Sequence, residues 1–426
     1  MKSSIIPNAG RHVLALIAAF LVCTGASAFA ENLLPLSLRI FPGNSSLGVD
    51  GVPAASAKGG LLPESIALTP GEHTLSLSAD GYIPRELSVV IPGATVVEAK
   101  LERSRSGLAK IGELVTGVWP KCAEFTPDGR FIVCALLRGR GAEVFDAATL
   151  QKVAMLSPPA KYAARWGFVE TAFAETRGEV WVSQMETSML HVFRLSDWAY
   201  LGSMAAGGSW SKVVLFSKDE KTAYVSNWLS KDVTVIDAGT RKLTAKIGVG
   251  GIPRGMVLSR DGKLLHVCIY DRQKIVTIDT AANAVVKITD FGWGAARHIV
   301  LHPARDLLYL SDMARNVVLV LDAGTLAKTA EIPTAEKPNT IKLSPDGRYL
   351  FVSCRGPNNP VNYELKGPEF GKVLCIDTRT NRRVDWTWGG NQPTGLGVSP
   401  DGKTVVFTDF QDGRAEVYAF DPKAIP

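Results

Sequence analysis

The sequence KTAYVSNWLSKDVTVIDAGTRKLTAKI, residues 221–247, decides the fold. It holds an apolar run at residues 223–225 and alternating runs at residues 233–236 and 243–247, with Asn, Asp and Gly between them. Alternation with a period of two, interrupted by such turn residues, is typical of short antiparallel strands. This stretch therefore predicts three strands in succession.

The pattern recurs along most of the chain and is marked by a turn that ends in Asp-Gly. Asp261 lies 42 residues after Asp219, and Asp346 lies a further 85 residues on, which is two of the same steps. A repeat of about 40 to 45 residues that carries four strands is typical of a propeller blade. Copies of the turn stand at residues 126–129, 259–262, 344–347 and 399–402.

Composition excludes several functions. The 426 residues, 46% of them hydrophobic, can bury a large core. The 47 basic and 41 acidic residues are spread out, so no basic arm for nucleic acid is present. No CxxC motif, metal-ligand spacing, nucleophile elbow or glycine-rich phosphate loop occurs. We therefore expect neither a metal nor a cofactor.

Residues 1–30 have the features of a secretory signal peptide. Two basic residues precede an apolar core at residues 13–22, which is too short for a permanent membrane helix, and small residues suited to signal peptidase follow. Lipid attachment at Cys23 is an alternative that the bulk of Val22 disfavours. No later stretch is apolar enough to span a membrane, so we expect an extracytoplasmic protein, periplasmic or at the cell surface.

Five cysteines follow this segment, at widely scattered positions. Cys122 and Cys134 flank a hairpin turn symmetrically, so a cross-strand disulfide and buried free thiols both stay open, and the odd number favours free thiols. The other three are Cys268, Cys354 and Cys375.

Residues 31–103 form a separate predicted unit. Alternating runs at residues 65–68, 73–77, 86–90 and 95–99 are separated by Pro-Gly and Asp-Gly turns, which is typical of a small all-β module. Its elements Val49-Asp50-Gly51, Pro70-Gly71-Glu72-His73, Asp80-Gly81-Tyr82 and Ile91-Pro92-Gly93, in this order, resemble the PEGA domain of bacterial envelope proteins. The resemblance implies a compact β-sandwich without catalytic residues. Only His73 departs from the family's tetrapeptide.

Residues 104–426 are predicted to form a seven-bladed β-propeller. The last repeat supplies only three strands, and residues 108–115, which have the alternation of an outer strand, can supply the fourth. Such a strand exchange closes the ring and removes exposed strand edges. The seven repeats begin near Trp119, Gly167, Trp210, Ile252, Ala295, Lys337 and Gln392.

The repeats carry a family resemblance. Tyr224-Val225-Ser226-Asn227, followed by Val233-Thr234-Val235-Ile236-Asp237, resembles the YVTN family of propeller repeats, and later repeats carry related segments. The resemblance implies the propeller fold. It implies little about activity, since members include binding proteins and related seven-bladed propellers are lactonases and cofactor-dependent oxidoreductases.

One face of the predicted propeller gathers the connections between blades. Since the second strand of a blade returns to that face, the loops between second and third strands lie there too, at Trp228, at Tyr270 and at an insertion of residues 355–371. We name it the mouth face. The opposite face carries turns that backbone geometry requires, so we expect the site on the mouth face.

The starts of the innermost strands align on the mouth face. Four of the seven are basic and none is acidic, and at the channel entrance low-dielectric walls focus the potential. Two interpretations stay open: an anion-attracting mouth, or solvated side chains and residues that tie blades together. The seven are Lys121, Val169, Lys212, Arg254, Arg297, Asn339 and Thr394.

Catalytic candidates are few. A hydrolase site could be assembled only from Glu170, His298 and Asn339 with Asp409 or Asp312, and His298 is the one histidine placed at the rim. Four tryptophans could stack on a sugar or peptide or pack between blades: Trp119, Trp166, Trp210 and Trp228.

We therefore expect a monomeric, non-catalytic binding or scaffold protein of the bacterial cell envelope, which binds a protein or an envelope polymer, anionic if the basic residues form the site. An extracytoplasmic propeller hydrolase or lactonase is the alternative. The insertion, with exposed-looking Tyr363 and Phe370, is expected either to overhang the mouth and contact the partner or to be a tolerated surface loop. The expected ligand-binding residues are Lys121, Lys212, Arg254, Arg297, His298, Asn339, Trp228 and Tyr270.

Overall fold

The computed structural model describes residues 32–55 and 61–426. Contacts divide the chain into two compact units, one of described residues up to 76 with 86–99, the other of residues 77–85 with 100–426. The expected signal peptide and Cys23 lie outside the described residues. In the part that is described, no helix is long and apolar enough to cross a membrane.

Seven strands near the N-terminus form two small sheets, ordered β4-β1-β7 and β3-β2-β5-β6. Buried Leu36, Leu47 and Leu75 contribute to their cores. The sequence predicted the last four strands to within two residues and missed the first three, two of which contain proline. The strands are β1 (Leu34–Phe41), β2 (Ser46–Val49), β3 (Val52–Ala55), β4 (Ser65–Leu68), β5 (Gly71–Ser78), β6 (Arg85–Ile91) and β7 (Val96–Lys100).

Seven four-stranded antiparallel sheets follow, which are the blades of a β-propeller. A strand β8 (Leu108–Val115) comes first in sequence. Blades one to three are β9 (Glu124–Phe125), β10 (Phe131–Ala135), β11 (Ala142–Asp146), β12 (Lys152–Leu156); β13 (Phe168–Ala174), β14 (Glu179–Gln184), β15 (Met189–Arg194), β16 (Tyr200–Ala205); and β17 (Ser211–Phe216), β18 (Thr222–Asn227), β19 (Asp232–Asp237), β20 (Lys242–Gly248).

The remaining blades repeat this arrangement. Blades four and five are β21 (Pro253–Leu258), β22 (Leu264–Ile269), β23 (Lys274–Asp279), β24 (Ala284–Asp290); and β25 (Ala296–Leu301), β26 (Leu307–Asp312), β27 (Val317–Asp322), β28 (Lys328–Pro333). Blades six and seven are β29 (Pro338–Leu343), β30 (Tyr349–Cys354), β31 (Lys372–Asp377), β32 (Arg382–Trp388); and β33 (Pro393–Val398), β34 (Thr404–Asp409), β35 (Arg414–Phe420) with β8. Two short helices are α1 (Ala160–Ala163) and a 3₁₀ turn (Pro422–Ala424).

Six of the seven first strands begin one residue after the blade start that the sequence predicted. Blade one differs, because its first strand is only β9, preceded by an isolated pair between Pro120 and Leu136. All five cysteines of the described part are buried and free, so the free-thiol alternative is confirmed.

The last blade is completed by β8, which pairs antiparallel with β35 from Leu108 opposite Phe420 to Val115 opposite Arg414. Along β8, Leu108 and Leu114 are buried while Ile111 and Val115 are exposed. The outer edge of β35 is therefore covered by a strand that precedes blade one in sequence.

Side-chain hydrogen bonds hold the recurring Asp-Gly turns. The Ser259 hydroxyl donates to the Asp261 carboxylate at 2.7 Å, and that carboxylate accepts the Lys263 N–H at 3.1 Å. Gly262 has φ +77°, a conformation that favours glycine. The recurring turn residues are thus explained by backbone geometry, as expected from the sequence.

Candidate functional site

A β-bulge at the start of the first strand sets which side chain faces the channel. In blade five the register between the first two strands shifts between Ala296 and His298, and Arg297 lies inside the bulge. The His298 N–H, released from the ladder, donates to the Ser311 hydroxyl at 3.1 Å, which donates to the Asn339 carbonyl of the next blade at 2.8 Å. Blades three, six and seven repeat the first of these bonds.

The bulge residues of four blades line one cavity of about 920 Å³, which we name the mouth cavity. Its walls are the connections between blades and the loops between second and third strands, as expected from the order of the strands. Sites for small molecules commonly have about 300–1,000 Å³. The cavity therefore has room for a ligand of that class.

Seven of the eight predicted ligand-binding residues line the mouth cavity, but His298, which was expected at the rim, is not among them. It stands one residue beyond the bulge, further down the channel, where burial and neighbouring cations hold its pKa well below the usual value. Spacing along the sequence does not reveal this difference in depth. The seven residues are Lys121, Lys212, Arg254, Arg297, Asn339, Trp228 and Tyr270.

Arg355, the first residue of the insertion, adds a fifth basic side chain to the wall. Lys212, Arg254 and Arg297 are only 3–4% exposed and Arg355 is 9% exposed, so these four are not solvated side chains, whereas Lys121 is only partly buried. Among the described residues none of the five forms an ion pair, and Arg254 Nε and Nη1 are buried without a hydrogen-bond partner. We name Lys121, Lys212, Arg254, Arg297 and Arg355 the basic cluster.

The cations of the basic cluster disfavour one another's charge. Burial and the neighbouring cations hold the pKa of Lys121 and of Lys212 well below the usual value. The same causes lower the pKa of Arg297 to about 9 and that of Arg355 to about 10. An added anion would favour the charged forms and relieve this cost.

Aromatic rings hold the cations in place of carboxylates. Lys212 Nζ lies 3.7 Å from the centroid of the Trp228 ring, and Lys121 Nζ lies 4.3 Å from that of Phe410. Trp228 in turn makes an edge contact with Tyr270, with centroids 5.5 Å apart. A ring attracts a cation through its quadrupole without cancelling the charge. The rings therefore supply no counter-charge to the cluster.

Asp312 and Asp409, two carboxylates considered for a hydrolase, are structural. Both are fully buried and neither lines the mouth cavity. Asp312 accepts the Ala295 N–H at 3.0 Å and Asp409 accepts the Gly390 N–H at 2.6 Å, so each ties a second strand to the connection entering its blade. Within residues 32–55 and 61–426, no group of three or more His, Cys, Asp or Glu is arranged to hold a metal.

The insertion crosses the mouth from blade six to blade one. The Gln392 amide of blade seven donates to the Tyr363 carbonyl at 2.7 Å, and Glu364 lies 3.5 Å from Arg138 of blade one. Tyr363 and Glu364 both line the mouth cavity. Phe370, expected to be exposed, is instead buried, because it lies where the insertion rejoins the blade.

The lining residues that sequence reasoning missed include Arg138, Arg355 and Phe410. The Arg138 guanidinium lies between the rings of Trp119 and Trp166, 4.0 and 4.8 Å from their centroids. All three belong to loops that follow a second strand. Because the order of the strands places these loops on the mouth face, their composition was the signal that could have found them.

Comparisons with known proteins agree on the fold. A family model described as Lactonase, 7-bladed beta-propeller, matches residues 283–424. The chain is 40% identical to Antigen Lp49 of Leptospira interrogans over 368 residues, which are 82% of this chain and 78% of that protein. It is 26% identical over 214 residues to the Salmonella typhimurium protein YncE, described as uncharacterized, covering 47% of this chain and 54% of that one.

Among solved structures, hydrazine synthase of Kuenenia stuttgartiensis superposes with a TM-score of 0.61 at 18% identity, covering 70% of this chain and 95% of that chain. At this identity the likeness shows the fold alone.

Proposed function

The chain belongs to the β-propeller family that includes Antigen Lp49, and on this premise we propose that it is an exported, non-catalytic binding protein of the bacterial cell envelope whose mouth cavity holds an anionic partner. The signal-peptide features of residues 1–30 support export, as does the name of the relative, which describes an antigen. The PEGA-like unit, residues 31–103, would serve as a spacer or a second contact.

The unpaired basic cluster carries this proposal. A buried charge costs free energy unless it is paired and hydrogen-bonded. If these residues tied blades together, their head groups would hydrogen-bond to neighbouring blades, yet among the described residues only Arg355 does so, to Gln392. Lys121 and Arg254 reach a neighbouring blade only through the rings of Phe410 and Trp228, which supply no counter-charge. An anionic partner would supply the missing counter-charge.

The experiment is titration of the mature chain, residues 31–426, with citrate and with poly-L-glutamate in a calorimeter at rising salt. We expect binding at low ionic strength that weakens as sodium chloride is added, because charges are screened beyond about 8 Å at physiological ionic strength. Failure of both anions to bind the wild-type chain at low salt would contradict the proposal.

Binding should also weaken as pH rises from neutrality. In the free protein Arg297 has a pKa of about 9, and Lys121 and Lys212 have pKa values well below the usual one. A bound anion raises these pKa values, so binding takes up protons and is tightest below the pKa values of the free protein. Citrate titrated from pH 7 upward keeps its own charge, so an affinity that is flat across this range would argue against the cluster.

The alternative function, a propeller hydrolase or lactonase, is favoured by the family model that matches residues 283–424. A basic mouth would suit the carboxylate that forms when a lactone ring opens. Lactone hydrolysis by the mature chain, lost when Asn339 or Glu170 is replaced, would favour this alternative over a binding protein.

A further inference from the structure

The lining of the mouth cavity ends at the level of the basic cluster. Glu170 and His298, one residue further along their strands, do not line it. Further along the first strands, Lys342 Nζ of blade six lies 2.8 Å from the Glu124 carboxylate of blade one. Gly397 holds the equivalent position in blade seven, between these two blades. The next cation beyond the cluster is thus already paired, whereas the cluster itself is not.

The cavity also has a partial roof. The insertion is held over blade seven by the bond from Gln392 to the Tyr363 carbonyl, and its Glu364 reaches Arg138 across the mouth. Gln411 adds a second bond to the same carbonyl at 2.8 Å. A long chain lying across the mouth would meet this segment, whereas a small molecule or a chain end can enter beside it.

Charge within this space exceeds what one anionic group can balance. The basic cluster holds five cations, and Glu170 is the carboxylate that favours the charged forms of Lys121, Lys212, Arg254 and Arg297. Over the whole lining, seven lysines and arginines stand with three glutamates, Glu186, Glu336 and Glu364, which leaves four positive charges uncompensated when all of these groups are ionised. The unpartnered N–H groups of Arg254 also require oxygen acceptors, and guanidinium groups match carboxylate and phosphate oxygens.

We propose, on the basis of the function proposed above, that the ligand is a compact polyanion. It is a small molecule or a chain end that carries two or more carboxylate or phosphate groups close together, enough to engage several cations of the cluster at once. The middle of an acidic polymer and a flat protein surface do not fit beneath this partial roof.

The test compares two series of small anions with one long chain on the wild-type mature protein. Calorimetry would measure acetate, succinate and citrate, then phosphate, pyrophosphate and tripolyphosphate, and finally poly-L-glutamate. We expect one ligand per protein and a gain of about tenfold or more in affinity for each added anionic group, since a charged hydrogen bond is worth about 1.5–3 kcal/mol. The series in which affinity rises more steeply with each added group shows whether the cavity prefers carboxylates or phosphates.

The outcomes separate this inference from the proposed function. Poly-L-glutamate that binds several proteins along each chain, more tightly than citrate, would overturn the compact ligand and leave anion binding intact. No binding of any anion would defeat the proposed function itself. A variant with residues 357–369 replaced by Gly-Asn, which removes the roof and keeps Arg355, should gain affinity for poly-L-glutamate relative to citrate. If the folded variant shows the same ratio of poly-L-glutamate affinity to citrate affinity as the wild type, the insertion does not restrict access to the cavity.

Discussion

Deletion of β8, Leu108–Val115, is expected to unfold the whole propeller. The deletion removes two buried leucines, Leu108 and Leu114, and exposes the outer edge of β35. Truncating one buried leucine to alanine costs about 2–5 kcal/mol, and domains are commonly stable by about 5–15 kcal/mol. Loss of the strand is therefore expected to remove most of the free energy of unfolding. Circular dichroism during heating would show a missing or strongly lowered transition.

Two point variants of β8 keep this prediction testable where the deletion does not fold. Leu114→Ala should cost about 2–5 kcal/mol because the side chain is fully buried. Ile111→Ala, at an exposed position of the same strand, should change stability by roughly 0.5 kcal/mol or less. Equal melting temperatures for these two variants would refute the role of β8 in closing the ring.

Replacement of Lys212 and Arg297 together by methionine is expected to abolish anion binding and yet stabilise the fold. Each lost charge contact should cost about 1.5–3 kcal/mol of binding free energy, so roughly a hundredfold in affinity or more for the pair. Each buried, unpaired charge lowers the stability of the fold by several kcal/mol because it loses its hydration. The double replacement removes both of these costs. The lost contact with the Trp228 ring offsets only about 0.5–2 kcal/mol.

Citrate titration and thermal unfolding of the same double variant would measure both effects. The matched control is Lys221→Met with Lys263→Met, whose side chains are 81% and 80% exposed beside turns remote from the mouth face. It should bind citrate as the wild type does, with little change in stability. A lower melting temperature with unchanged citrate binding would show instead that Lys212 and Arg297 tie blades together.

Local patterns in the sequence were sufficient for the blades. Six blade starts were predicted to within one residue because alternation and Asp-Gly turns depend on side chains a few residues apart, as the bonds of Asp261 illustrate. The same approach missed β1 and β3, where Pro35 and Pro53 interrupt the pattern. It also predicted His298 at the rim, because a bulge changes the depth of a residue without leaving a mark in its neighbours.

The sequence by itself determined the seven repeats, the face on which the loops gather and the presence of four basic residues near the channel. Only the tertiary structure decided that three of these residues are buried and Lys121 partly so, that no carboxylate pairs with them among the described residues, and that Arg355 joins them. It likewise decided that Lys342 meets Glu124 across the position of Gly397. Turns and strand alternation arise from neighbours in the chain, whereas burial and counter-charges depend on residues from distant blades that meet only when the ring closes.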